Sequence, residues 1–191
     1  MPVEQWFSTP IYYDYALNKD LIHTELMLAY TTSNFSKASG WGSKTHSVSD
    51  PTFSSNIIDT MNLTTLQDEI YNHVANYMRS LNSTCTKRFR IASSWFTNTK
   101  PGEYTRIHNH RYADISGVYY LKTNKLDGSL TFVSPSPCLT SVIFAELRDT
   151  VSYTPEEGKI ILFPGWLYHV VSENDTSDDR ISMSFNIYFE R

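Results

Sequence analysis

A chain of 191 residues, 40% hydrophobic and 14% aromatic, can bury one substantial core and is short for two domains of ordinary size. Lysine and arginine total 16 against 20 aspartates and glutamates, a net charge of −4, which argues against a protein that tracks nucleic-acid phosphates, since that task needs a dense basic stripe. The mean hydropathy of −0.36 and the lack of any apolar run near the ~18 residues of a membrane helix exclude a spanning helix. Residues 1–14 show no basic stretch leading into an apolar one, so no secretory signal is expected. Cys85 and Cys138 make neither a disulfide framework nor a CxxC zinc site. A reducing cytoplasm is the expected location, and there the Asn-x-Ser/Thr triplets at Asn34, Asn62, Asn82 and Asn174 carry no glycosylation.

In chain order, Trp6 to Tyr15 is aromatic and β-branched around Pro10 and predicts an outer strand, whose exposed edge could pair in a homodimer. Asn18 as N-cap, Asp20 in the first turn and an apolar face through Leu21 and Leu28 predict a helix. Thr31 to Ser55, with Gly40, Gly42 and Pro51, reads as a long surface loop, and loops of that length are often lids. Leu63, Leu66, Ile70, Val74, Tyr77 and Leu81 recur at three- and four-residue spacing, the signature of an amphipathic helix over 62–81.

From Arg88 onward the texture changes to short strands: 89–98, 115–122, 129–134, 159–163, 168–171 and 181–189. Turn signals separate them at Pro101-Gly102, Asp127-Gly128, Glu157-Gly158 and Pro164-Gly165. Helices first and many short strands afterwards predict a mainly β, α+β architecture: a jelly roll or barrel buttressed by helices. We expect one domain over 1–191, with helical support at 16–82 and a jelly-roll core at 88–191.

His108 and His110 are one residue apart, and period-two geometry puts both imidazoles on one face if the chain is extended there. A single metal can then be reached by both. His169 follows the Pro164-Gly165 turn in a strand, turn, strand pattern that can return its side chain to the barrel mouth. Each of the three could equally be a surface or hydrogen-bonded barrel residue; His23, His46 and His73 lack such company and read as structural or exposed. Arg180 opens a strand with two faces. Arg180, Ser182, Ser184 and Asn186 lie on one, Ile181, Met183, Phe185 and Ile187 on the other. The polar face is ordinary if it meets solvent. Pointing into a barrel, the guanidinium needs an anionic partner, which a carboxylate ligand would supply to its planar fork.

His108-x-His110, Ser116-Gly-Val-Tyr-Tyr-Leu121, Gly158-x-x-x-x-Phe163-Pro, His169 and Arg180-Ile-Ser-x-Ser-Phe-Asn186, in that order, resemble the 2-oxoglutarate-Fe(II) oxygenases of the prolyl-hydroxylase-like superfamily. The opening Trp6-Phe-Ser-Thr-Pro10 is similar as well. The resemblance implies a double-stranded β-helix, the cupin-like jelly roll, holding Fe(II) and 2-oxoglutarate. It implies a dioxygenase that hydroxylates a substrate with release of succinate and CO2. By match, His108 is the proximal iron ligand, His169 the distal one and Arg180 the anchor for the cosubstrate's C5 carboxylate. Ser116 and Tyr120 fall where related hydroxylases place a hydroxyl and a phenol near that carboxylate, and Ser182 shares the face of Arg180.

The chain departs from the superfamily's His-x-Asp/Glu pattern, because position 110 is histidine. Either His108, His110 and His169 hold iron as a neutral set, more positive by one unit, or Asp114 supplies the carboxylate and His110 ligates beside it or supports it; a domain that kept the fold and lost iron is a third case. We expect the three-histidine set. Thr31 to Ser55, with Trp41 and Tyr30, and Pro135 to Thr150 are candidate lids, and Trp95, Phe132 and Trp166 candidate pocket walls. Two rivals remain at this point. A cupin-like metal enzyme would use the same histidines without 2-oxoglutarate and would have no need of Arg180. A non-enzymatic jelly-roll binding domain would retain no metal. The substrate, whether small molecule, peptide side chain or modified base, is unidentified; molecular oxygen is the implied co-reactant, and neither a membrane nor tight nucleic-acid binding is expected.

Overall fold

A computed structural model describes residues 8–38, 41–42, 44–136 and 149–191. Its elements run β1 (Tyr12–Tyr15), α1 (Lys19–Thr32), β2 (Ser36–Lys37), β3 (Ser47–Val48), α2 (Ile57–Thr60), α3 (Thr64–Ser80), β4 (Phe89–Thr99), β5 (Thr105–His108), β6 (Ile115–Lys122), β7 (Leu130–Val133), β8 (Thr150–Tyr153), β9 (Lys159–Pro164), β10 (His169–Val171) and β11 (Arg180–Phe189). Two antiparallel sheets result, one in the order β1-β9-β6-β11-β4-β3-β2 and one in the order β5-β10-β7-β8. This is the jelly roll that the strand texture predicts, with helices packed on the outside of the larger sheet.

The helices decide which way that sheet faces. In α3 the three- and four-residue pattern buries Leu66, Ile70, Val74 and Tyr77, each contributing roughly 1.5–3 kcal/mol by leaving water. They meet Ile181, Met183, Phe185 and Ile187 of β11 in one core. With the apolar face of β11 taken by helices, its polar face must look between the sheets, and Arg180, Ser182 and Asn186 are buried there. The α1 helix begins after Asn18 as expected, but its buried stripe is Ile22, Leu26 and Ala29. Leu21 and Leu28, the residues that suggest an inward face, point to solvent.

The long segment after α1 is not a bare loop. Its first residues complete α1, and β2 and β3 then pair and extend the larger sheet beyond β4. The structure also adds three short elements that the sequence pattern does not mark, α2, β5 and β8. Tyr30, a candidate lid residue, lies on the helix side instead, edge-on to Phe96 and accepting a hydrogen bond from Asn98. The second candidate lid falls largely outside the described residues, as does the Trp6-Phe7 opening. The strand expected over 6–15 is described as β1, an outer strand paired with β9.

Candidate functional site

Between the sheets, Tyr120, Leu130, Phe132, Ile161, Phe163 and Leu167 form one apolar cluster. It borders a cavity of about 240 Å³, which Tyr120, Leu130 and Phe163 also line. His108, His110 and His169 share this cavity with Arg180, Tyr120 and Ser182. Antiparallel pairing of β5 and β10 sets His108 opposite His169, and their ring centroids are 4.2 Å apart. The chain then leaves β5 while His110 returns to the same side, its ring 5.2 Å from each of the other two. The ligand nitrogens of all three lie within 4.8 Å of one another, a spread that one ion can gather.

Second contacts separate the three histidines. His108 Nδ1 is 2.8 Å from the carbonyl of Arg106, and His169 Nδ1 is 3.0 Å from that of Leu167. In both, a carbonyl two residues back fixes Nδ1 as the N–H and leaves Nε2 with its lone pair, the tautomer a metal requires. His110 has no such bond among the described residues. Burial lowers the pKa of all three, to about 3 for His110, with further depression of His110 and His169 by their histidine neighbours. The cluster is therefore neutral at neutral pH and competent to bind a cation.

Gly165, in the turn before His169, permits this approach. A Cβ there would lie 2.2 Å from the carbonyl oxygen of Ala113, so only glycine lets the β9–β10 connection pass so close to the chain after His110.

Arg180 is 3% exposed. Its Nη1 donates to the carbonyls of Asp127 and Gly128, and Nη2 donates to Thr99 Oγ1 at 3.0 Å. These bonds leave the Nε–H and one Nη2–H uncommitted, and no carboxylate forms an ion pair with Arg180 among the described residues. Asp127 is buried close by, but its carboxylate accepts from Thr123 Oγ1 and the Asn124 amide. A buried guanidinium with no carboxylate in contact, and only the charge of Asp127 acting on it from a distance, is costly, and its place in the cavity lining suits a carboxylate. Gly128 makes room for it: at φ +100, a Cβ there would meet Arg180 Nη1 at 2.8 Å and the Ser172 carbonyl at 2.3 Å. Tyr120 stands opposite Ser182 in the β6–β11 register, and burial pushes its phenol up to about 12, so it stays a hydrogen-bond donor.

Two expected site residues lie elsewhere. Ser116 pairs with Asn186, six residues along β11 from Arg180, which at ~3.3 Å per residue is about 20 Å. Its hydroxyl donates to Asn186 Oδ1 at 2.8 Å, and Asn186 Nδ2 in turn donates to Ser93. Ser116 therefore cannot share a carboxylate with Arg180. Asp114, the alternative iron ligand, is exposed and accepts from the backbone amide of Phe189 at 2.8 Å, outside the histidine cluster. The period-two argument for it fails because the chain turns after His110, where the Ala113 amide bonds the His110 carbonyl. Of the candidate walls, Trp95 lines the cavity, Phe132 packs in the apolar cluster behind it, against His169, and Trp166 is 49% exposed.

The remaining wall comes from the N-terminal segment, through Trp41, His46 and Phe53. Trp41 stands edge-on to His108 at 4.9 Å and Phe53 edge-on to Trp95 at 5.1 Å. Phe53 has φ +54, a left-handed conformation costing a bulky residue roughly 1–3 kcal/mol. Asp50 holds the turn, its carboxylate accepting from the amides of Thr52, Ser54 and Ser55 and the hydroxyls of Thr52 and Ser55. His46, read from sequence as structural or exposed, is buried in this wall. No local spacing signals it, because a bridge between Thr45 and Tyr104 brings it to β5.

Residues 93–186 match the family model described as "Putative 2OG-Fe(II) oxygenase". The matched residues belong to the 2OG-Fe(II) oxygenase family. Every histidine of the cluster, Arg180, Tyr120 and Ser182 fall within that stretch. Solved structures of similar fold include a prolyl-4-hydroxylase from Pseudomonas putida, at 15% identity over 96% of this chain and 94% of that one, TM-score 0.63. The non-heme α-ketoglutarate-dependent epimerase SnoN of nogalamycin biosynthesis aligns at 16% identity over 94% and 78%, TM-score 0.67. HygX from Streptomyces hygroscopicus, solved with nickel, 2-oxoglutarate and hygromycin B, aligns at 10% identity over 94% and 82%, TM-score 0.63. No curated protein matches the sequence. The matched stretch is thus that of a 2-oxoglutarate-dependent Fe(II) oxygenase, an oxidoreductase whose cofactors are Fe(II) and 2-oxoglutarate. Its own residues fit both: neutral imidazoles gathered for a cation, and a buried unpaired guanidinium for a carboxylate.

Proposed function

We propose that this oxygenase hydroxylates its substrate, with His108, His110 and His169 as the iron ligands and Arg180 as the anchor for the C5 carboxylate of 2-oxoglutarate. The observation that carries the proposal is one cavity lined by three neutral imidazoles and a buried guanidinium that has no ion-pair partner among the described residues. Fe(II) and 2-oxoglutarate together supply the oxidising power: with O2, an oxygen atom enters a substrate C–H bond while 2-oxoglutarate becomes succinate and CO2. The chain supplies placement. His108 and His169 arrive with Nε2 already free, because backbone carbonyls hold Nδ1. His110 completes a neutral set in place of the usual carboxylate. Arg180 offers its two free N–H groups to the far end of the cosubstrate, with the Tyr120 phenol and the Ser182 hydroxyl as further donors. Trp41, Trp95 and Phe163 keep water from the reacting centre.

On the same reading the chain is one domain, works in the cytoplasm and acts on a small molecule or a peptide side chain; a homodimer through the free edge of β1 belongs to this proposal too. No helix of the described residues is long and apolar enough to cross a membrane. The test is anaerobic titration of the Fe(II)-loaded protein with 2-oxoglutarate, watching for the visible metal-to-ligand charge-transfer band. A band in wild type that is lost in His169→Ala is the expected result. Tight metal retention without a band would overturn the 2-oxoglutarate reading in favour of a cupin-like enzyme using the three histidines alone.

A further inference from the structure

Trp41, His46 and Phe53 line the cavity from outside the stretch that the family model matches. The residues proposed for the shared chemistry lie within that stretch, so this wall is where the chain can set its own choice of substrate. Within it, His46 carries the specific chemistry. It is 3% exposed, and its Nδ1 lies 3.1 Å from Thr45 Oγ1 and 3.0 Å from Thr105 Oγ1. A hydroxyl has a single proton, and that of Thr45 is donated to the carbonyl of Tyr104 at 3.2 Å. Thr45 Oγ1 therefore presents a lone pair to Nδ1, which favours the ring form protonated there, while Thr105 Oγ1 can act as acceptor or donor. Burial lowers the pKa of His46 to about 4, so the ring is neutral, and in the Nδ1–H form Nε2 carries the lone pair.

No described residue hydrogen-bonds that Nε2. Ionised 2-oxoglutarate has acceptors alone and cannot satisfy it either, so once a substrate displaces water from this wall the donor has to come with the substrate. Charge narrows the choice further. Arg180 and the metal make the neighbourhood hostile to a second cation, and Trp41, Phe53 and Trp95 offer flat faces, not charges. Size narrows it again. A cavity of about 240 Å³ must hold 2-oxoglutarate as well, which leaves room for a pendant group.

We infer that His46 carries its proton on Nδ1 and positions the substrate through Nε2, and that the reacting part of the substrate is a small, uncharged, flat or apolar group donating an N–H or O–H to that nitrogen. This rests on the oxygenase reading above. The asymmetry between Nδ1, with its threonine partners, and Nε2, facing the cavity, is what a recognition element needs: the fold fixes one nitrogen so that the other can be read.

Pyrrole and furan test it, being nearly isosteric flat rings of which only pyrrole carries a donor. The protein loaded with Fe(II) and 2-oxoglutarate is titrated with each in the absence of oxygen, following the charge-transfer band and tryptophan fluorescence. Wild type should bind pyrrole about tenfold more tightly than furan, the worth of one buried neutral hydrogen bond. His46→Leu should abolish that preference, and His46→Gln, which keeps an acceptor, should restore part of it. Equal binding of the two rings by wild type, binding of neither, or a preference that survives His46→Leu would overturn the inference, and the wild-type arm holds whether or not a variant folds. Absence of the charge-transfer band itself would instead count against the oxygenase reading.

Discussion

On the barrel side of the cavity, side chains are placed by sheet register and locked by the backbone: His108 by pairing with β10 and the Arg106 carbonyl, His169 by the Leu167 carbonyl, Arg180 by the carbonyls of Asp127 and Gly128. On the N-terminal side, two two-residue strands and a single carboxylate do the work, with Asp50 cinching the turn that sets Phe53 and two threonines fixing His46. Backbone anchoring survives most side-chain changes, whereas a wall held by side chains can be rebuilt by a few substitutions. The comparison teaches that chemistry and selectivity occupy parts of this chain with different tolerance for change.

The sharpest way to break the barrel side is His169→Ala. Removing a preset nitrogen from a three-ligand site should abolish retention of Fe(II) through gel filtration and with it the charge-transfer band. Arg180→Ala comes next. It should leave metal content intact and weaken 2-oxoglutarate by about 100-fold, since hydrogen bonds to charged groups are worth ~1.5–3 kcal/mol each; undiminished affinity would remove Arg180 from the subsite.

A third effect is acid sensitivity of the metal-free protein. The folded pKa values of His46 and His110 fall to about 4 and about 3, below the ~6.5 of an unfolded histidine. The unfolded chain therefore binds more protons across that window, and stability falls as pH drops below ~6.5, by about 1.4 kcal/mol per pH unit for each such group. Urea midpoints measured between pH 7 and pH 4 should show the decline, and Fe(II) should shift its onset to lower pH by occupying the nitrogen of His110. A flat profile would mean that these imidazoles charge freely in the fold. The smallest effect sharpens the comparison within β11 itself. Ser116→Ala should leave 2-oxoglutarate affinity within about twofold, because that hydroxyl is engaged by Asn186 at the far end of the strand, while Ser182→Ala should weaken it several-fold, as loss of one exchanged hydrogen bond does.

How far the site is legible in the sequence depends on the range of each signal. The His108-x-His110 pair, the turn before His169 and the alternation of β11 are local patterns, and the structure brings those three histidines and Arg180 to one cavity. The expectation for Ser116 came from motif position, and it failed because the motif does not say how far along a strand two side chains stand; register does. Asp114 failed because a turn interrupts the extended chain on which period two depends. His46 sends no local signal at all. Its place comes from a bridge between residues far apart in sequence, Thr45 and Tyr104.

By itself the sequence determined the order of the longer helices and strands, the two chemically distinct faces of β11 and the grouping of histidines, because these rest on side-chain periodicity and on turn residues that act within a few positions. Only the tertiary structure decided which face of β11 looks inward, which serine stands near Arg180 and which further histidine joins the cavity. Those outcomes depend on what packs against what: α3 covers the apolar side of the sheet, and the burial so gained turns Arg180 toward the space between the sheets, where it shares a cavity with the histidines and has no ion-pair partner among the described residues.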